Sequence, residues 1–301
     1  MRALVTGAGG FVGTALVAHL QAEGDEVVGI DHVSGPDITD AAGVREVVGR
    51  HRPDAVYHLA AVTHIGASWD APLDVFRINA EGTLNVMSAC TAAGVDRVLV
   101  VGSADEYGAV RPEDLPLSED APLRPLTPYG ASKVAAEFLG LQAFLGERLP
   151  VIRVRAFNHT GRTQPDRFMI PGLARRIAAA ERHGRKEIPI GSLEPVRDFT
   201  NVEDVVVAYR LLVERGEPGE VYNVCSGVGH SVAEVADHLL GLARHAIELV
   251  PDPSLVRPVE VPRLVGDNTR LRQATGWAPA IPFEETLAAI LDRWRDEEAA
   301  R

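Results

Sequence analysis

Residues 5–13 read VTGAGGFVG. Gly7, Gly10 and Gly13 follow a short apolar run, RALVT, and open an apolar helical pattern from about Phe11 to Glu23. Glycines at a strand-to-helix turn allow a tight bend and let backbone N–H groups and the helix dipole approach a pyrophosphate. Gly7, Gly10, Phe11, Val12 and Gly13 are therefore candidate dinucleotide contacts. A glycine triad alone fits a plain turn equally well, so the second strand matters: EVVGID ends in Asp31, where a carboxylate can accept hydrogen bonds from an adenosine ribose. A 2′-phosphate would be repelled there. This favours NAD(H) over NADP(H), with His32 softening the discrimination.

Working outward, RALVT, EVVGID, DAVYHLA, RVLVVGS and PVIRVRAF alternate with helical patterns near 11–23, 41–50, 73–94 and 129–147. Strands this apolar, separated by helices, signal a parallel sheet covered on both faces. The expected fold is α/β, a Rossmann-type doubly wound parallel sheet with a smaller, mostly C-terminal lobe. Residues 1–157 are expected to form the dinucleotide-binding part with a returning segment near 196–220, and 158–195 and 221–301 the second lobe. There the segments KEIPIG, RDFTN, GEVYNV and IELVP are short and bounded by Gly or Pro, with helices expected at 202–215, 231–243 and 283–295 and a frayed charged tail, DEEAAR. Asp37 and Ile38 in GPDITD are expected to flank the adenine. Leu59, Ala60 and Ala61 end the third strand in HLAA, whose small residues let a dinucleotide backbone pass close.

Composition excludes several classes. The 301 residues are 46% hydrophobic and 24% charged with a net charge of −12, which provides no dense cationic footprint for nucleic acid or a membrane surface. The N-terminus runs straight into a strand and glycine loop, without a basic start, a long apolar run and a cleavage site, so a cytoplasmic location is expected. Cys90 and Cys225 sit in apolar surroundings without metal-ligand spacing; buried thiols are expected, with no metal site.

TPYGASK sets Tyr129 and Lys133 at i and i+4, on one helix face. An ammonium beside a phenol stabilises the phenolate, so the tyrosine can exchange a proton with a substrate oxygen. A surface pair would share that spacing, but Ser103 lies just past the fourth strand, at the sheet end where ligand sites open. With TGxxGxxG, HLAA, the serine before YG, and YGASK in hand, the chain resembles the extended short-chain dehydrogenase/reductases that act on nucleotide sugars. The resemblance covers nearly the whole chain. It implies Tyr129 as general acid/base, Lys133 as its electrostatic partner and ribose ligand, Ser103 as oxygen anchor and a nicotinamide dinucleotide as hydride carrier.

RAFNHTG (155–161), IGSLEPVRDF (190–199), GEVYNVCSG (219–227) and RPVEVPRLVGDNTRLRQATGW (257–277) look most like the GDP-4-keto-6-deoxy-D-mannose reductases, whose vocabulary the GDP-mannose 4,6-dehydratases largely share. The resemblance implies Asn158 and Arg197 at a substrate diphosphate, Arg257 approaching it from the last loop, and Glu260 at the nucleotide ribose. Arginine forks suit a buried diphosphate, although Arg197 beside Asp198 also fits an internal ion pair. Arg175 and Arg176 read as a solvated helix face. The chain departs from the family at Ala156, usually proline, and at Arg162-Thr163 before Gln164, where the family carries Gly-Pro-Gly-Gln.

In GSADEYG (102–108), Asp105 takes the place of the dehydratases' glutamate base and Ser103 that of their threonine; Glu106 reads as second to these or as surface. Asp is one methylene shorter than Glu, so Asp105 is expected to face the sugar without driving an elimination. Thr63, His64 and Ser68 are placed to line the sugar pocket, and His159 reads as a loop histidine. The resemblance implies reduction of a nucleotide-linked 4-keto-6-deoxyhexose, GDP-D-rhamnose being the implied product. The alternatives are a dehydratase or epimerase that regenerates its own NAD, and a silent dinucleotide sensor. Apolar stripes on helices 73–94 and 129–147, including Phe138, Leu141 and Leu145, suit pairing with a second copy as a homodimer.

Overall fold

A computed structural model describes residues 1–63, 66–256 and 261–300. Along the chain run β1 (Arg2–Thr6), α1 (Phe11–Ala22), β2 (Glu26–Ile30), α2 (Ala41–His51), β3 (Ala55–His58), α3 (Ala67–Asp70), α4 (Pro72–Phe76) and α5 (Gly82–Ala93). Next come β4 (Arg97–Val101), α6 (Pro128–Glu147), β5 (Val151–Ala156), β6 (Asn158–Thr160), α7 (Met169–His183), β7 (Glu187–Ile190), β8 (Val196–Asn201) and α8 (Val202–Arg215). The last elements are β9 (Val221–Val224), β10 (Gly229–Ser231), α9 (Val232–Gly241), β11 (Glu248–Pro251), β12 (Arg263–Leu264), α10 (Thr269–Thr275) and α11 (Phe283–Ala299).

The main sheet is parallel, in the order β2-β1-β3-β4-β5-β9. Its strands are buried on alternate faces: Ala3 and Val5 of β1 meet Leu16 and Leu20 of α1 and Val205, Tyr209 and Leu212 of α8. Leu4, between them, points instead toward Val44 and Val48 of α2 and Val86 of α5. Two covered faces explain why these strands lack polar alternation. The order reverses between β1 and β3, since β2 lies on the other side of β1. A crevice for a ligand opens at such a switch point, beyond the carboxyl ends of the strands.

The second unit packs α7, α9 and α11 with β7 and β8 around Leu173, Ile177, Leu239, Ile290 and Trp294. Its sheets are β10-β8-β12, with β6 also on β8, and the pair β11-β7. Here strand membership differs from the expected division. β8, inside the segment expected to return to the first part, belongs to the second sheet, whereas β9, expected in the second lobe, completes the main sheet beside β5. The wholly buried VYNV of β9 is too short for its periodicity to show which sheet it joins. The tail also differs: α11 continues to Ala299, because Glu298 is buried and Arg182 bonds its carbonyl.

Helix 73–94 is interrupted by a π-type stretch, Arg77–Glu81. Asn79 sits in it, fully buried, and grips the chain after β3: its Oδ1 accepts from Val62 N at 2.8 Å, while its Nδ2 donates to Val62 O at 3.1 Å and Ser132 Oγ at 2.9 Å. Such an insertion in a helix commonly marks a functional region.

Candidate active site

Three chain segments meet at the carboxyl edge of the main sheet. The first is the glycine loop after β1. Gly7 holds φ +73°, and a Cβ there would stand 2.8 Å from Ala60 N, so loop and β3 end lie in close contact. A side chain on Gly13 would strike the Gly7 carbonyl, and one on Gly9 the Asp31 carboxylate. Gly10 caps α1 without any side-chain hydrogen bond. The first-turn N–H groups of α1 thus have no side-chain cap, which suits an anionic group. Phe11 stacks on His159, with ring centroids 6.1 Å apart, joining this loop to the segment after β5; Val12 is half-buried beside it.

Asp31 accepts from Val33 N at 2.8 Å, and this bond leads the causes that hold its carboxyl below the usual range. His32 Nδ1 lies 4.0 Å from it. Asp37 folds back on Thr39, accepting from its N and Oγ1 at 2.8 Å each, and Asp40 caps α2. Ile38 is a core residue packed where Gly82 leaves room. Leu59 and Ala60 bond back to Thr6, from Leu59 N to its carbonyl at 3.2 Å and from Ala60 N to its Oγ1 at 3.1 Å. Ala61 is half-buried and Thr63 exposed.

The second segment is GSADEYG after β4. Ser103 caps a short 3₁₀ turn, its Oγ accepting from Asp105 N and donating to Asp105 Oδ2, both at 3.2 Å. Ser103 N donates to Glu106 Oε1 at 2.7 Å. Glu106, expected outside the reacting groups or at the surface, is completely buried. Tyr107 is a strut: its hydroxyl donates to Asn223 Oδ1 of β9 at 2.7 Å.

The third is α6. Thr127 accepts from Gly130 N at 3.0 Å and Pro128 opens the helix, which fixes Tyr129 in its first turn. Tyr129 is 6% exposed, and burial, followed by the nearby Asp105 charge, pushes its phenol up against the hydrogen bond with Ser103. Lys133 donates to Val101 O at 2.5 Å, and burial lowers its ammonium to about 8. Ser103, Asp105 and Tyr129 are thus gathered on one hydrogen-bonded patch, and Lys133, one helical turn along α6 from Tyr129, is anchored on the end of β4. A buried polar chain supports them: His58 joins Thr6 Oγ1 at 2.8 Å to Thr83 Oγ1 at 2.9 Å, Thr83 bonds Asn79 O, and Ser132 bonds Tyr129 O at 2.7 Å. Burial lowers His58 to about 3, so it stays neutral.

Beyond β5 a cavity of about 640 Å³ opens into the second unit. Asn158, Arg197, Arg167, Arg175 and Arg176 line it, with Asp166 among them. Asp198 is not the partner that the Arg197-Asp198 pairing suggested: its buried carboxylate accepts from Ser226 N, Ser226 Oγ, Gly227 N and Gly266 N at 2.6–3.3 Å. Arg175 and Arg176, read from the sequence as a solvated face, both line this cavity; the Arg175 side chain stays 42% exposed there, whereas Arg176 is drawn inward. Arg175 pairs with Asp166, and Arg176 Nε is buried without a hydrogen-bond partner. No fixed spacing links these arginines, so α7 alone could not reveal them. Ser68 is buried, and His64, Arg257 and Glu260 lie outside the described residues.

Among the described residues no three His, Cys, Asp or Glu side chains gather as a metal would need, and both cysteines are free and buried. Among the described residues no helix is long and apolar enough to cross a membrane.

Residues 3–225 match the NAD dependent epimerase/dehydratase family. The chain belongs to that family. It is 37% identical to a GDP-6-deoxy-D-mannose reductase of Pseudomonas aeruginosa over 97% of each chain. It is 32% identical to a UDP-glucose 4-epimerase of Mycolicibacterium smegmatis over 99% of each. A solved structure of RMD from Pseudomonas aeruginosa, complexed with NADPH, superimposes with a TM-score of 0.90 at 36% identity, covering 99% of this chain and all of that one. Gly7 against Ala60, the uncapped start of α1 and Asp31 fit the dinucleotide that the family uses.

Proposed function

We propose that the protein reduces the 4-keto group of a nucleotide-linked 4-keto-6-deoxyhexose, GDP-4-keto-6-deoxy-D-mannose giving GDP-D-rhamnose. The observation that carries this reading is the grouping of Ser103, Asp105 and Tyr129 at the sheet edge: Ser103 bonds Asp105 at 3.2 Å and interacts with the Tyr129 phenol, which burial pushes further up. A ketone reduction needs a proton donor at the oxygen, which Tyr129 provides, and no separate base. The bound dinucleotide supplies the hydride. Ser103 orients the carbonyl oxygen, and Lys133 keeps positive charge behind the phenol as its proton leaves. Gly7, Gly10, Phe11, Val12, Gly13, Asp31 and Leu59 to Ala61 form the dinucleotide crevice, and Asn158, Arg197, Arg175 and Arg176 receive the diphosphate-linked nucleoside. Asp31 favours NADH, although the similar Pseudomonas aeruginosa structure holds NADPH.

The exposed Leu73, Phe76, Leu84, Phe138 and Leu145 lie on α4, α5 and α6, which pack together, and support a homodimer through that face. Free thiols support a cytoplasmic location. The test is to mix the protein with NADH or NADPH and the keto sugar, following reduced-cofactor absorbance and the sugar nucleotide's mass. A gain of two hydrogens with loss of reduced cofactor upholds the reductase. Loss of water from GDP-mannose with no net cofactor change establishes a dehydratase instead.

A further inference from the structure

Glu106 is an acid at this edge with no part in the proposed reaction, and its surroundings are unusual. The side chain is fully buried, in space left by Gly102, where an added Cβ would also lie 2.7 Å from Val154 O. Its Oε1 accepts from Ser103 N at 2.7 Å, but its Oε2 finds no N–H or O–H donor. Arg155 Nε is 3.7 Å from Oε2 and is already given to Glu137: Nε and Nη2 reach the Glu137 carboxylate at 2.7 and 2.8 Å. The remaining nitrogen of that guanidinium, Nη1, serves the Tyr107 hydroxyl and Glu119 O. Arg153 adds a further bond to Glu137 at 2.9 Å. The side chain that remains to bond Oε2 is the Glu137 carboxyl; Lys133, whose Nζ is spent on Val101 O, and Arg155 act on Glu106 through their charge. Two carboxyls hydrogen-bond only with a proton between them, and the arginines make Glu137 the ionised member.

We propose that Glu106 is a positioning residue of the active site: a neutral buried acid, sharing one proton with Glu137, that fixes the Ser103 backbone and keeps negative charge away from Lys133 and Tyr129. The groups facing it are Glu137, Lys133 and Tyr129 from α6, Arg155 from β5 and Ser103 from its own turn. Burial and the Glu137 charge both push the Glu106 carboxyl up, which agrees with the orphaned oxygen. Were it ionised, its charge would raise both the Lys133 ammonium and the Tyr129 phenol. The neutral acid leaves the tyrosine the better proton donor.

The proposal rests on Ser103, Tyr129 and Lys133 being the reacting set, so its first test needs no turnover. In an infrared difference spectrum of wild type minus Glu106→Gln, the carbonyl band of a buried protonated carboxylic acid is expected; its absence overturns the proposal. In turnover, Glu106→Gln keeps the neutral hydrogen bonds and should retain kcat within about threefold, whereas Glu106→Ala should lose about tenfold or more with KM within about twofold. Glu137→Gln removes the proton-sharing partner and should move the high-pH limb of kcat upward by about half a unit or more, and the double variant Glu106→Gln/Glu137→Gln should restore it. Equal losses in Glu106→Gln and Glu106→Ala, or an unmoved limb, overturn the proposal. A wild type that reduces no keto sugar sinks the proposed function and leaves the infrared result standing.

Discussion

The carboxyl edge of the main sheet and the cavity in the second unit are built by different means. At the sheet edge, Ser103, Tyr129 and Lys133 come from two short motifs whose neighbours hold them by buried hydrogen bonds, from Thr6 through His58 and Asn79 to Ser132. In the cavity, Arg167, Arg175, Arg176 and Arg197 arrive from α7, its approach and β8, and their shared feature is charge facing a common space. On the proposed function, chemistry that needs sub-ångström placement is concentrated in local motifs on a rigid sheet, while recognition of an anionic ligand is spread over residues far apart in sequence.

The strongest way to break this contrast is Tyr129→Phe. Removing a positioned general acid should lower kcat by about 10²–10⁴-fold while leaving dinucleotide binding, measured by fluorescence titration, within about twofold. Full activity in that variant would move the chemistry away from the sheet edge. Arg197→Ala and Arg176→Ala should act in the opposite sense, raising KM for the sugar nucleotide by about tenfold or more with a smaller change in kcat, because each removes a charge-assisted contact and no proton donor. A pure kcat effect would show that the cavity takes part in the chemistry.

These two sets of residues were unequally legible in the sequence. VTGAGGFVG, HLAA and TPYGASK state their geometry within a few residues, since glycine spacing and an i, i+4 pair translate directly into a turn and a helix face. Glu106 was not legible, because nothing local announces that the acid after Asp105 turns inward to meet Glu137 of α6 and Arg155 of β5. Arg175 and Arg176 were misread for a similar reason: a helix pattern reports which face is apolar, and a polar face that lines a cavity looks the same as one in solvent. Ile38 belongs to the core because Gly82, far along the chain, makes room for it.

Two smaller effects sharpen the comparison within the sheet edge itself. Lys133, lowered to about 8 by burial, is an ammonium below that pH and neutral above it. Reduction should therefore hold steady below pH 8 and fall as pH rises through it, with kcat followed across the range; a rate that rises through pH 8 contradicts an ammonium behind the phenol. His58, at about 3, stays neutral throughout and adds no limb of its own. Asp31→Ala should shift the ratio of kcat/KM for NADPH over NADH upward by about tenfold, since the carboxylate that repels a 2′-phosphate is gone. An unchanged ratio would mean that cofactor choice is made elsewhere in the crevice.

The smallest expected change is the one that separates two chemistries on one scaffold. Asp105 stands where a 4,6-dehydratase would need a base to remove a proton, yet its carboxylate accepts the Ser103 hydroxyl and lies beside a protonated Tyr129. In a reductase the group does no more than orient Ser103 and face the sugar. Asp105→Asn keeps the acceptor oxygen and should change kcat for keto-sugar reduction by less than about threefold, or raise it slightly by removing the charge that pushes the phenol up. A base in an elimination cannot be replaced in this way, because an amide accepts no proton at neutral pH, and the loss would be about a hundredfold or more. Measured on the keto sugar with reduced cofactor, a near-silent substitution leaves proton transfer to Tyr129 alone. A large loss, with water elimination from the unreduced sugar lost in parallel, would make the acid next to Glu106 the reacting group.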